Sequence, residues 1–162
     1  MIKTDASSLI YMLKMNFIET LVKIDERLYI TEMVYHEVVT RGKVRGKADA
    51  YLCEKLVKEG FIKLHASPRT LLDINLGTGE RETMQNAIEH ECPCVLDDKK
   101  AQRVAIGLGI AVKIVPLLLL EAIKLRVISE SEYTMFFDSW IHHADPPTEL
   151  VELMKNARDL MG

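Results

Sequence analysis

The chain has 162 residues, 48% of them hydrophobic and 28% charged, and a net charge of −3. This suffices for one globular domain with a real core, and it excludes a disordered chain and a general cationic coat for nucleic acid. No apolar run approaches the ~20 residues of a membrane span; the longest, residues 114–120, contains Pro116, and Lys3 and Asp5 interrupt any leader-like N-terminus. A soluble, cytoplasmic protein is expected, with no membrane partner. Three cysteines, Cys53, Cys92 and Cys94, cannot all pair within the chain and fit a reducing compartment. Cys92-Pro93-Cys94 lacks the second ligand pair that a zinc site needs.

Residues 1–4 read as a strand ending at Asp5, after which Leu9, Ile10 and Leu13 recur at helical spacing, with a break near Asn16. Ser7 or Ser8 either caps this helix or orients a ligand carboxylate. Residues 28–30 read as a second strand, with Thr31 as the cap of a helix through Val34 and Val38. Glu37 borders the apolar face of that helix, an unusual place for a carboxylate. In residues 40–47, Arg41, Lys43, Arg45 and Lys47 alternate with Gly42, Val44 and Gly46. The glycines predict a mobile loop, which either grips phosphates or is a solvated connection between helices.

A helix is expected over residues 48–60 and a third strand over 61–65. The connection 67–76 leads into Gly77-Thr78-Gly79-Glu80, the entry to another helix. Glu80 and Glu82 in a first helical turn either answer the helix dipole or face a metal. Cys94-Val95-Leu96 reads as a strand that runs into Asp97 and Asp98, followed by a helix carrying Lys99, Lys100 and Arg103 near its start. An Asp there is an ordinary N-cap or, at the carboxyl edge of an open sheet, a ligand-binding group. A last strand is expected over 110–115, with Pro116 at the first position of the next helix. Two amphipathic helices, 130–143 and 147–161, follow, with Phe136, Phe137 and Trp140 as packing residues. His142-His143 reads as a surface pair.

Alternating strands and helices argue one α/β domain with a mainly parallel sheet. The core is expected to run to about residue 127, with residues 128–162 as a C-terminal helical extension. Parallel strands bring their carboxyl ends to one edge, so Asp5, Glu37, Glu80, Asp97 and Asp98 can converge although far apart in sequence. Several carboxylates together repel one another unless a hard divalent cation, Mg²⁺ or Mn²⁺, sits among them. A cation in that setting lowers the pKa of water and stabilises charge on a phosphodiester.

Thr4-Asp5-Ala6-Ser7, Val34-Tyr35-His36-Glu37-Val38, Leu76-Gly77-Thr78-Gly79-Glu80-Arg81-Glu82 and the stretch from Val95 through Asp97-Asp98 to Ala105 occur in this order. Together they resemble the PIN-domain family, nearest its archaeal and bacterial branch related to the toxins of toxin–antitoxin pairs. The resemblance covers nearly the whole chain. It implies a three-layer α/β/α fold with added C-terminal helices and an Mg²⁺- or Mn²⁺-dependent ribonuclease. It also implies Asp5, Glu80 and Asp97 or Asp98 as metal ligands, Glu37 orienting a water, and Ser7 supporting Asp5. Arg41, Lys43, Arg45, Lys47, Lys99, Lys100 and Arg103 would meet RNA phosphates. A homodimer or an antitoxin is the expected protein partner. One departure is Val115-Pro116, where related proteins often carry Gly-Thr; it removes a polar contact. The rival readings are a catalytically weak RNA- or protein-binding module and, further off, a phosphotransfer domain with an Asp nucleophile.

Overall fold

The computed structural model describes every residue from Met1 to Gly162. Five strands, β1 (Ile2–Thr4), β2 (Leu28–Thr31), β3 (Ile62–His65), β4 (Cys94–Val95) and β5 (Val112–Lys113), form one sheet in the order β3-β2-β1-β4-β5. All neighbours are parallel, with Ile2 opposite Leu28 and Thr4 opposite Val95. β1 is therefore central, and the chain changes direction across the sheet between β1 and β4, where ligands bind in open α/β folds.

Side chains alternate across each strand, so the sheet has two buried faces. Ile2, Leu28, Ile30, Ile62 and Val95 face the larger core. It is covered by α1 (Ala6–Lys14), α2 (Ile18–Lys23), α5 (Ala48–Lys58), α8 (Val115–Lys124) and α9 (Glu130–Ala144). Cys94 and Leu96 face the smaller core, against α6 (Thr78–Glu89) and α7 (Lys99–Gly107) through Met84, Ala87, Ala101 and Ala105. This is the α/β/α sandwich.

α9 lays Phe136, Phe137 and Trp140 into the larger core, with Phe136 edge-on to Phe17 at 5.3 Å between centroids. The last helix, α10 (Thr148–Leu160), buries only Met154 fully. No helix is long and apolar enough to cross a membrane.

Two expectations are corrected. The stretch 40–47 is not a mobile loop. α3 (Glu32–Tyr35), capped by Thr31 Oγ1 accepting from the Val34 N–H, widens into a π turn over His36–Thr40 and continues as α4 (Arg41–Val44). Gly42 reads as a breaker in sequence, yet it is buried in the helix because a bare backbone is what lets α4 close on α5. A Cβ there would stand 2.8 Å from the Ala50 Cβ. Gly42→Ala is expected to cost about 1–3 kcal/mol through overpacking, read as a lower denaturant midpoint at unchanged slope. Secondly, the last strand is only Val112–Lys113, and Val115 is already helical, which moves Pro116 from the first position of α8 to the second. Val115 is drawn into the helix because its side chain is buried against the larger core.

Candidate active site

Three elements deliver carboxylates to the carboxyl edge around β1. Asp5 ends β1 and caps α1, its Oδ1 accepting from the Ser8 N–H at 2.9 Å. A strand that stops and a helix that starts on one residue favour a side chain able to satisfy an orphan amide, so an Asp there is held rigidly. It is 3% exposed. Asp97 follows β4 and is half-buried; Gln102 fixes its backbone, donating to the carbonyls of Leu96 at 2.9 Å and Asp97 at 3.2 Å. Glu80 lies in the first turn of α6, one of its oxygens accepting from the Gly77 N–H at 3.0 Å.

The fourth carboxylate, Glu37, comes from the π turn and lies against the start of α6. Gly79 makes room for it, since a Cβ at that position would meet Glu37 Oε2 at 2.9 Å and its Cδ at 3.2 Å. Thr83 Oγ1 ties the first turns of α6 to β1, donating to the carbonyls of Gly79 and Thr4.

These groups sense one another. Burial, foremost, with Glu80 and Asp97, pushes the Asp5 carboxyl up to about 6, against hydrogen bonding from Ser8. Glu37 is raised by burial and by Glu80 and Glu82, against the pull of Arg41 and His36. Asp97 is raised by burial and by Asp98. None of Asp5, Glu37, Glu80, Asp97 or Asp98 forms an ion pair with a lysine or arginine. Apart from the pull of Arg41 and His36 on Glu37, the edge carries negative charge that no ion pair neutralises, the condition a divalent cation relieves.

The donors are all carboxylate oxygens, which suits Mg²⁺ or Mn²⁺ over softer metals. No three Asp, Glu, His or Cys side chains stand close enough to ligate one ion together. The set fits an ion held by one or two carboxylates with water completing its shell, the usual habit of Mg²⁺.

The other expected residues fall into place unevenly. Asp98 is exposed and caps α7, accepting from the Ala101 N–H at 2.8 Å. Ser7 is exposed, and Ser8 rather than Ser7 contacts Asp5; its hydroxyl is buried with no hydrogen-bond partner. The one-residue offset arises because a capping Asp reaches the amide three places on. Arg41 acts on Glu37, while Arg45 and Lys47 are exposed. Lys43 is turned away, paired with Glu54 at 2.8 Å and lying 5.3 Å from the Tyr51 ring centroid. Lys99 and Asp97 border a cavity of about 670 Å³ that opens toward Asp145 and Glu149. Lys100 donates to the Asn75 carbonyl at 2.6 Å, and Arg103 is exposed.

Sequence reading passed over one residue here and left a second, Glu82, outside the acidic set. Tyr11, half-buried on α1, has its hydroxyl raised by burial and by Asp97 and Asp5, so it borders both acids. It stands six residues after Asp5, off the spacing of one helix face, so the sequence carries no signal for it. Glu82 is buried and accepts from the Ser67 hydroxyl at 3.0 Å, where it adds to the field on Glu37.

A sequence model of the PIN domain matches residues 1–143. Among solved structures, the chain is similar to a PilT N-terminus domain protein from the hyperthermophilic archaeon Sulfolobus solfataricus. The identity is 20% and the TM-score 0.56, over 75% of this chain and 93% of that one, a likeness of fold. No protein with a curated description matches.

Proposed function

The chain belongs to the PIN-domain family, whose members are generally nucleases that use divalent metals, and from that premise we propose that it hydrolyses RNA phosphodiester bonds with Mg²⁺ or Mn²⁺. The observation that carries the reading is Asp5, a buried carboxylate without a cationic partner, in the field of Glu80 and Asp97 from two other elements.

Of Asp5, Glu80 and Asp97, one or two would hold the cation directly and the rest through its bound water. When bound, it supplies Lewis acidity at the phosphoryl oxygens and makes water a better nucleophile near neutral pH. Glu37 orients the attacking water and accepts its proton. Burial and the neighbouring acids raise its proton affinity, the direction that makes a carboxylate a better general base. Asp98 serves as the cap of α7 and holds the start of that helix in place. Arg41, Arg45 and Lys47, and Lys99 and Arg103 on α7, would meet the RNA phosphates. Lys43 and Lys100 hold protein groups and act on RNA only indirectly.

The test is cleavage of a labelled single-stranded RNA with Mg²⁺ or Mn²⁺, repeated with excess EDTA. Cleavage that depends on the metal and is lost on Glu37→Gln supports the reading. Intact RNA at every metal concentration, with RNA still bound, favours the binding module to which Val115-Pro116 points.

A further inference from the structure

A second polar cluster lies toward the C-terminal end of α6, where Asn86, Glu89 and the capping residue His90 sit. Lys3, on the central strand, is 0% exposed. Its Nζ contacts His65 Nδ1 and lies 3.3 Å from Asn86 Oδ1 and 4.9 Å from the Tyr29 ring centroid. It makes no ion pair. A buried ammonium whose direct contacts are all neutral is costly; the field of Glu89 reaches Lys3 without forming an ion pair. Burial lowers Lys3 to about 8, which leaves it mostly charged at neutral pH.

Beside this lysine is a pocket of about 400 Å³ lined by His65, Ser67, Arg69, Asn86, Glu89 and His90, a size that takes a small ligand. The tautomers of its two histidines follow from their partners. An ammonium only donates, so His65 Nδ1 accepts and its proton lies on Nε2, across the ring from Lys3. A carbonyl only accepts, so His90 Nδ1 donates to Asn86 O at 2.8 Å and the neutral ring keeps a lone pair on Nε2. The two rings stack at 4.3 Å between centroids. They offer one donor and one acceptor side by side. Arg69 is exposed and unpaired at the rim. Glu89, the one carboxylate there, is exposed and accepts from Gln85 at 3.0 Å.

We propose that this pocket binds the phosphate group of a small phosphate monoester or of free phosphate, with His65 and Arg69 as donors, His90 as acceptor and Lys3 as the charge behind them. A phosphate near its second ionisation, at a pKa of about 6, carries anionic oxygens and a P–OH at once. The oxygens accept from His65 and Arg69, and the hydroxyl donates to His90. Sulfate carries no proton at neutral pH and leaves His90 without a donor. The pocket therefore selects phosphate over sulfate, independently of hydrolysis at the carboxylate edge.

The experiment follows the histidine Cε1–H resonances of the full chain by NMR at neutral pH with EDTA present, so that no cation bridges phosphate to the acids. Inorganic phosphate, adenosine 5′-monophosphate and sulfate are titrated in turn. Saturable shifts of His65 and His90 are expected, with sulfate at least about tenfold weaker than phosphate, the value of one good hydrogen bond. Tighter binding of the nucleotide assigns a nucleoside monophosphate as the ligand; equal binding assigns free phosphate. Arg69→Gln, an exposed change that leaves the fold alone, weakens binding about tenfold. His90→Phe abolishes the preference for phosphate over sulfate. Either of two results overturns the proposal: no saturable shift for phosphate or nucleotide at about 10 mM, well past a millimolar affinity, or equal binding of phosphate and sulfate that ignores Arg69→Gln.

Discussion

Asp5→Asn abolishes metal-dependent RNA cleavage, by about 100-fold or more, and at the same time makes the metal-free protein more stable at pH 7. Loss of an outer partner of a metal ligand already costs about 10- to 100-fold, and loss of a ligand costs more. The stability gain follows from the carboxyl of Asp5, raised from 3.8 to about 6 by burial and neighbouring acids. The folded state holds its proton more tightly than the unfolded state, so stability falls as pH rises from about 4 to about 6 and levels off above. At pH 7 the ionised group costs on the order of 3 kcal/mol. Asn carries no charge and caps a helix as well as Asp does, so the bond to the Ser8 amide survives. In EDTA the variant melts above the wild type and has a shallower slope between pH 4 and 6, since Glu37 and Asp97 are raised as well. Added Mg²⁺ or Mn²⁺ raises the melting point of the wild type and not of the variant. A variant that melts below the wild type in EDTA at pH 7 would contradict the assignment of Asp5 as an unneutralised buried acid.

Gly79→Ala separates function from stability. The added methyl meets Glu37 Oε2 at 2.9 Å and its Cδ at 3.2 Å. The carboxylate is the free end of a flexible side chain, so it yields and the fold does not. Alanine in a helix is worth up to about 1 kcal/mol over glycine, which offsets the crowding. The melting temperature is expected to stay within a few degrees of the wild type. Activity is expected to fall on the order of 100-fold, because a displacement of about 1 Å in a catalytic group is enough for that. Measured together, turnover and melting distinguish a displaced base from a damaged helix; a variant that keeps full turnover removes Glu37 from the chemistry.

Much of the architecture was legible because burial imposes a period. Ile2, Leu28, Ile30 and Ile62 announce strands, and the caps Asp5, Thr31 and Asp98 announce the helices that follow. Strand order was not legible, since side-chain alternation says which face is buried and nothing about which strand lies beside which. Gly42 misled because a glycine that permits helix packing is written with the same letter as one that ends a helix. The burial of Lys3 was not legible either: it lies between Ile2 and Thr4 on β1, a central strand covered on both faces, and only the fold encloses it.

Asp5, Asp97 and Asp98 could be named because acids at strand ends stand out. The part of the site made by absence, the missing Cβ of Gly79, could not be seen without the neighbour it admits. Where a Ser7 hydroxyl was expected, the Ser8 backbone amide meets Asp5, because a cap reaches a fixed number of residues forward. The phosphate pocket had no signature at all. His65 and His90 lie on separate elements, and only the fold stacks them.

The wide coil at His36–Thr40 has a consequence for comparing this chain with its relatives. A π turn holds one more residue than the α turn on either side of it. A gap of one residue in an alignment there would seat His36 or Val38 where Glu37 belongs and turn the side chain by about 100°. The counterpart of this acid in another chain is therefore found by superposing backbones at the start of α6, and counting positions from the preceding strand would miss it.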